Sequence, residues 1–254
     1  ERDPMEEERG LLIDIGANVG YFSLCAAARG HKVLAFSSLT TNSKVSDMLK
    51  SSIALNHYGA LIEHIDDMYP SFSDAKTACS RLATSVEERD RCGHTAFSTL
   101  DDILFFRERE SVRKLLLGQR RRVAMRISAT CRIARPLAGS LRLLKSPALR
   151  PTVLLIELAG SCKAQENEHK GNDDFDRKGD LHGEASNLEA LIYLNKLNYT
   201  EIYHAGPVCD SYGSEAINSV MEDGSTGIWC KVQDAERTFQ DLVENDSLEN
   251  IIFL

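Results

Sequence analysis

From residue 11 onward the chain alternates between two kinds of apolar spacing. Leu11, Leu12 and Ile13 form a continuous apolar run, whereas Tyr21, Leu24, Cys25 and Ala28 recur at helical intervals. A buried strand over 11–15 and an amphipathic helix over 20–29 follow from that switch. Residues 32–37 repeat the strand pattern, and Val45, Met48, Leu49 and Ser52 trace one face of a second helix over 42–56. Leu61 to Ile65 reads as a third strand, ended by Asp66-Asp67, and Val123 to Ile127 as a fourth. Ala134, Leu137, Ala138, Leu141 and Leu144 line one side of a helix over 134–146, with Pro136 tolerated in its first turn. Thr152 to Leu158 is the most hydrophobic strand and is expected at the centre of a sheet. A helix over 187–197 and strands over 199–204 and 249–254 complete the pattern. The signal fades from 69 to 98. Residues 161–186, which include GNDDFDRKGDLHGE, read as a long mobile polar loop. Repeated β-α units of this kind define a parallel α/β domain.

The chemistry concentrates where the first strand meets the first helix, in LLIDIGANVGYFS. Gly16 and Gly20 lack Cβ atoms, so the backbone can turn sharply and a ligand can approach it. The following helix start offers N–H groups to a carboxylate or phosphate. The spacing is G-x-x-x-G, and the dinucleotide fingerprint G-x-G-x-x-G is absent, which disfavours a nicotinamide-dependent dehydrogenase. Asp14 stands two positions before the first glycine, an arrangement suited to the amino group of S-adenosylmethionine (SAM). Its alternative is a polar strand-end residue. Asn18 is a candidate helix cap as well as a pocket residue, and Tyr21 is equally core or pocket wall.

D-I-G-A-N-V-G-Y-F-S followed by G-H-K-V-L-A-F resembles the first half of the FkbM-type SAM-dependent methyltransferases. Weaker patches extend the resemblance: Ser52-Ile53-Ala54-Leu55-Asn56, Thr99-Leu100-Asp101-Asp102-Ile103-Leu104, PTVLLIEL from Pro151, Asn198-Tyr199, and Asn250-Ile251-Ile252-Phe253. The resemblance implies a single-domain, seven-stranded Rossmann-like methyltransferase sheet over 10–254, with helices on both faces. It implies SAM as cofactor, held by Asp14, Gly16, Ala17, Asn18, Gly20, Tyr21, Ser37 and Asp101. The implied acceptor is a hydroxyl of a small molecule or glycan. Three family carboxylates are replaced here, by Ser37 at the end of the second strand and by Ser128 and Thr130 in RISATCRI. A serine cannot grip a diol bidentately as a carboxylate does. These losses keep a second expectation open, a catalytically degenerate homologue acting as a binding or scaffolding module. Glu157, ending an apolar strand at the ligand-binding edge of such sheets, is the candidate for acceptor contact, with helix capping as its alternative. Asp101 and Asp102 also have a structural alternative, because Thr99 and Asp102 show capping-box spacing.

Composition changes this picture little. The chain of 254 residues carries 43% apolar and 27% charged residues, ordinary for a globular domain. No apolar run reaches the ~18 residues of a membrane span. The opening ERDPMEEER is charged and expected to fray; the first residue is Glu, and an upstream signal or anchor is left open. Seven cysteines show no C-x-x-C pair and no disulfide framework, which favours a reducing, cytoplasmic setting. Two N-x-[ST] sequons, at Asn198 and Asn245, carry little weight. Residues 107–150 hold 13 Lys and Arg against two Glu, so this stretch is +11 and the rest of the chain −19 within the total of −8. Arg120, Arg121, Arg122, Arg126, Arg132 and Arg135 are candidates for phosphate contact. Aromatic residues that would stack bases are missing from 107–150, so a solvated basic insertion over 107–122 is expected and nucleic acid is not. His57, His64, His94 and His204 lack metal-ligand spacing, no metal is expected, and no G-x-S-x-G nucleophile motif occurs.

Overall fold

The computed structural model describes residues 9–38, 43–68, 99–106, 122–129, 133–158, 187–197, 199, 201–205, 216–220, 226–235, 239 and 250–254. The segments expected to fray (1–8), to form most of a basic insertion (107–121) and to form a polar loop (161–186) lie outside them, as do Thr130, Cys131 and the sequon asparagines Asn198 and Asn245. The chain divides into two compact units, Glu1–Arg126 with Arg135–Pro151, and Ile127–Ala134 with Thr152–Leu254.

In the first unit the order is β1 (Leu11–Ile15), α1 (Tyr21–Ala28), β2 (Lys32–Ser38), α2 (Ser43–Leu55), a 3-10 turn at Tyr58–Ala60 and β3 (Ile62–Met68). A π-helical turn (Asp102–Phe106), the start of β4 (Val123–Ala129), most of α3 (Ala134–Ala138) and α4 (Leu141–Lys145) follow. The strands are hydrogen-bonded in the order β3-β2-β1-β4. β1 runs parallel to β2 with Ile13 opposite Leu34, and β2 parallel to β3 with Ala35 opposite His64. Both faces of these strands are covered. Val33 and Ala35 pack with Ala17, Ala27, Leu49, Ile53 and Ile62 on the face that carries α1 and α2. Ile13, Leu34 and Phe36, pointing the other way, are fully buried too. A strand buried on both sides reads as a continuous apolar run, which is why LLI and VLAF were legible.

The second unit contains β5 (Val153–Leu158), α5 (Asn187–Asn195), β6 (Ile202–Ala205), β7 (Ala216–Val220), β8 (Thr226–Lys231) and β9 (Asn250–Phe253). Its strand order is β5-β9-β6-β8-β7, with antiparallel pairing of β5 to β9, β9 to β6, β6 to β8 and β8 to β7. Leu154, Ile156, Leu191, Leu194, Phe239 and Phe253 form its buried interior. Phe253 stacks against Tyr199 and Phe239, with ring centroids 5.7 and 6.1 Å away.

The α/β class is the one expected, and all seven expected strands are present. Two more, β7 and β8, make nine among the described residues, and they form a hairpin placed in sequence between β6 and β9. The single helix expected over 134–146 is two short ones, α3 and α4, interrupted at Gly139-Ser140. Ser140 turns its hydroxyl back onto the Pro136 and Leu137 carbonyls at 2.9 and 3.0 Å, a local alternative to the helical ladder. The cysteines also need correction. Cys25 is a free, half-buried thiol on α1, but Cys230 of β8 is fully buried and disulfide-bonded. Bridges persist in oxidising surroundings, so unpaired thiols no longer argue for a reducing compartment. No described helix is long and apolar enough to cross a membrane.

Candidate functional site

The corner between β1 and α1 is built almost wholly from backbone. Gly16, Asn18 and Gly20 all take positive φ, at 80°, 53° and 91°. The N–H groups of Gly16 and Ala17 both donate to the Phe36 carbonyl at 3.0 Å, which stitches the corner to the end of β2. Gly20 N–H then donates to the Ala17 carbonyl at 2.8 Å, closing the turn, and Leu24 N–H bonds the Gly20 carbonyl at 2.7 Å to start α1. A side chain at Gly20 would be strained at its φ and would overlap Leu49 Cδ1 of α2. Both glycines of the motif are therefore required by the turn itself. Gly20 is the N-cap of α1, and no side chain caps that helix. Asn18, which the sequence offered as a cap, instead supplies a left-handed residue in the turn, a conformation Asn tolerates better than most. Asn18, Val19 and Tyr21 are exposed at this edge, Tyr21 at 69%.

Asp14 is the opposite case. It is fully buried, and both carboxylate oxygens are taken up by the protein. Arg126 Nη1 of β4 donates to Oδ1 at 2.6 Å, and Ser23 Oγ of α1 donates to Oδ2 at 2.6 Å. The Arg126 guanidinium also lies 4.3 Å from the centre of the Phe22 ring and 3.4 Å from the Gly16 carbonyl. One arginine therefore ties β4, β1, the corner and α1 together. Only charge-assisted bonds of this kind make such burial tolerable, because an unpaired buried carboxylate costs several kcal/mol.

The sequence offers Arg126 as one of six basic candidates for phosphate contact. It is 7% exposed and belongs to the interior. A visible signal existed: Arg126 interrupts the apolar alternation of V-A-M-R-I, where a charged residue needs a partner. Ser23, Phe22 and His64 were missed as well, and nothing local marks them.

The remaining candidates are also engaged. Ser37, near the end of β2, is almost wholly buried, and its Oγ shares a 2.9 Å hydrogen bond with His64 Nε2 of β3. Asp101 Oδ2 accepts from Arg142 N–H at 2.7 Å and Oδ1 from Leu143 N–H at 3.0 Å, so its carboxylate caps α4. No bond of Asp101 reaches the Gly16–Gly20 corner. Burial pushes the Asp101 carboxyl up to about 6, with the two N–H bonds working against the rise and the neighbouring Asp102 adding to it. Thr99 and Asp102 form the capping box their spacing indicated, with Thr99 N–H to Asp102 Oδ2 at 3.0 Å and Asp102 N–H to Thr99 Oγ1 at 3.3 Å. Glu157 is half-buried in β5, in register with Asn250 of β9. Ser128 is half-buried in β4. No group of three metal-ligating side chains occurs among the described residues.

No family model matches the chain, and no curated protein does. Solved structures are similar at a distance. A precorrin-8w decarboxylase from Methanobacterium thermoautotrophicum is 12% identical, with 89% of this chain and 83% of that one covered at a TM-score of 0.37. An rRNA methylase from Streptococcus thermophilus is 12% identical, with 89% of each chain covered and a TM-score of 0.37. An O-methyltransferase of tomaymycin synthesis from Streptomyces achromogenes, solved with SAM, is 11% identical over 90% of this chain and 74% of that one, at a TM-score of 0.33. At these scores the functional argument rests on the site itself.

Proposed function

We propose that the chain is a SAM-dependent methyltransferase that binds its cofactor at the Gly16–Gly20 corner and passes the methyl group to a hydroxyl of a small molecule or glycan. One observation carries the reading: three left-handed residues at alternate positions, Gly16, Asn18 and Gly20, bring backbone to the end of β1, beside a helix start that no side chain caps. An uncapped helix N-terminus attracts a carboxylate such as the one on the methionine moiety. The resemblance of DIGANVGYFS to the FkbM-type pattern supports SAM as the particular ligand. Ala17, Asn18 and Tyr21 are the corner's other members, the last two exposed at its rim. In this reading Asp14 is a positioning residue, since its carboxylate braces the corner through Arg126 and Ser23. The transfer itself requires alignment of acceptor oxygen, methyl carbon and sulfur, because the sulfonium charge already activates the methyl group. Positioning and exclusion of water are thus the main tasks of the protein. Glu157 is the candidate for contacting the acceptor.

A second reading, a degenerate homologue that serves as a binding or scaffolding module, is favoured by a separate observation. Asp14, Ser37 and Asp101 all spend their polar side-chain atoms on protein partners. Titration calorimetry with SAM separates the two. A micromolar dissociation constant supports the enzyme; absence of heat at millimolar ligand leaves the scaffold.

A further inference from the structure

We infer that the edge of the first unit where its strands begin is a docking face for an anionic lipid surface. The inference is independent of the cofactor reading, because this edge lies at the far end of β1 from the glycine corner, about 17 Å along a five-residue strand. β4, β1 and β2 start side by side there. Leu11 N–H donates to the Arg122 carbonyl and Lys32 N–H to the Gly10 carbonyl, both at 3.1 Å, and Gly10 N–H donates to His31 Nδ1 at 3.0 Å. Arg9 reaches across to the turn before β2, where its Nε lies 3.6 Å from the place a Cβ would take on Gly30, next to Arg29. Four cations therefore share one edge: Arg29 and Arg122 are exposed, Arg9 and Lys32 half-buried. Lys32 Nζ donates to the Ala60 carbonyl at 2.6 Å, which ties the turn between α2 and β3 to the same edge. Leu55, the last residue of α2 before that turn, is 80% exposed.

The carboxylates of these elements sit elsewhere, with one exception. Asp14, Asp66 and Asp67 lie at the far ends of β1 and β3, and Asp47 lies near the start of α2, which begins at that same far edge. Glu63, second residue of β3, is the acid nearest the basic edge, and it is half-buried. In the sequence Glu6, Glu7 and Glu8 lead into Arg9, while Arg120 and Arg121 lead into Arg122, so the flanking residues leave the balance positive. An exposed leucine by itself is ordinary. Beside a row of cations it completes the pair of signals that stable attachment to a bilayer needs, since charge or a single apolar anchor alone binds marginally. Nucleic acid fits less well: Tyr58, the aromatic residue of the turn, packs into the core cluster, where it cannot stack on a base. Docking by this edge leaves the glycine corner, at the other end of β1, turned away from the bilayer.

Co-sedimentation of the full chain with vesicles tests this, using phosphatidylcholine alone and phosphatidylcholine mixed with phosphatidylserine. Wild type should pellet with the mixed vesicles and stay in solution with the neutral ones. Arg29→Gln combined with Arg122→Gln should partition roughly 20-fold less, each arginine contributing about 5-fold beside an anionic surface. That difference should shrink as salt is raised. Leu55→Ser should bind roughly 10-fold less, with the salt dependence of wild type. No binding by wild type, equal binding to the two vesicle types, or a double arginine variant that pellets like wild type would overturn the inference. So would a preference for polyuridylate over the mixed vesicles at matched phosphate concentration, the mark of a nucleic-acid face.

Discussion

Asp14 and Asp101 are the two carboxylates that the sequence offered to a cofactor, and the fold treats them in opposite ways. Asp14 is sealed in the interior against a guanidinium and a hydroxyl, where its charge is part of the packing. Asp101 is held by two backbone N–H groups at a helix start and keeps partial access to water, and burial raises its pKa to about 6. The first is held by a guanidinium and a hydroxyl; the burial of the second works against its own ionisation. A carboxylate's partner, more than its depth, decides whether its charge is an asset.

Breaking the Asp14 pair should have the largest effect. Arg126→Leu leaves a buried carboxylate facing only Ser23, so urea unfolding should show a loss of about 3–5 kcal/mol. Asp14→Leu combined with Arg126→Leu should recover much of that loss, since no lone charge remains. A double variant as weak as the single one would show that the arginine matters through its packing on Phe22 instead.

Gly20→Ala sharpens the comparison by disturbing the corner that the pair braces while leaving the charges alone. The strained φ and the overlap with Leu49 should cost about 1–3 kcal/mol. SAM affinity should fall with it. A variant as stable as wild type would mean that the turn relaxes without the glycine.

Asp101→Asn tests the other half. A folded pKa of about 6 against the ordinary 3.8 means the folded protein binds more protons than the unfolded chain between those values. Wild-type stability from this group is therefore full below the lower value and declines as pH rises towards 6. The melting temperature of Asp101→Asn relative to wild type should climb from pH 4 to about 6 and then level off. A difference that runs the other way would show that the two N–H bonds outweigh burial and stabilise the Asp101 carboxylate as an anion.

Glu201 is the exposed control and should show the smallest effect. It bonds Lys231 Nζ at 2.6 Å and the Tyr203 hydroxyl at 2.8 Å, and these bonds hold its carboxyl below the usual range. Surface pairs of this kind contribute little, so Glu201→Gln should leave the melting curve essentially unmoved. A clear drop would mean that the β6–β8 edge is less open to water than its exposure indicates.

How much of this was legible beforehand follows from the range of each signal. Apolar runs such as LLI, VLAF and VLLIEL announce strands buried on both faces, and G-x-x-x-G with an intervening Asn announces the turn, because both patterns arise from neighbours along the chain. The hairpin β7–β8 did not show itself. Its AINSV strand has no clean alternation and owes its state to the partner strand. The break at Gly139-Ser140 was hidden too, since apolar spacing runs on through it while Asp101, some 40 residues earlier, caps the second piece.

Local order thus determined the β-α alternation and the bare-backbone corner, for which short-range sterics suffice. Only tertiary structure decided that Asp14 faces Arg126 and that Ser37 meets His64. Charge pairing and hydrogen bonding act between side chains that the folded chain alone brings within 3 Å, over separations of 112 and 27 residues. A sequence names the groups, but desolvation and the geometry of their partners assign the roles.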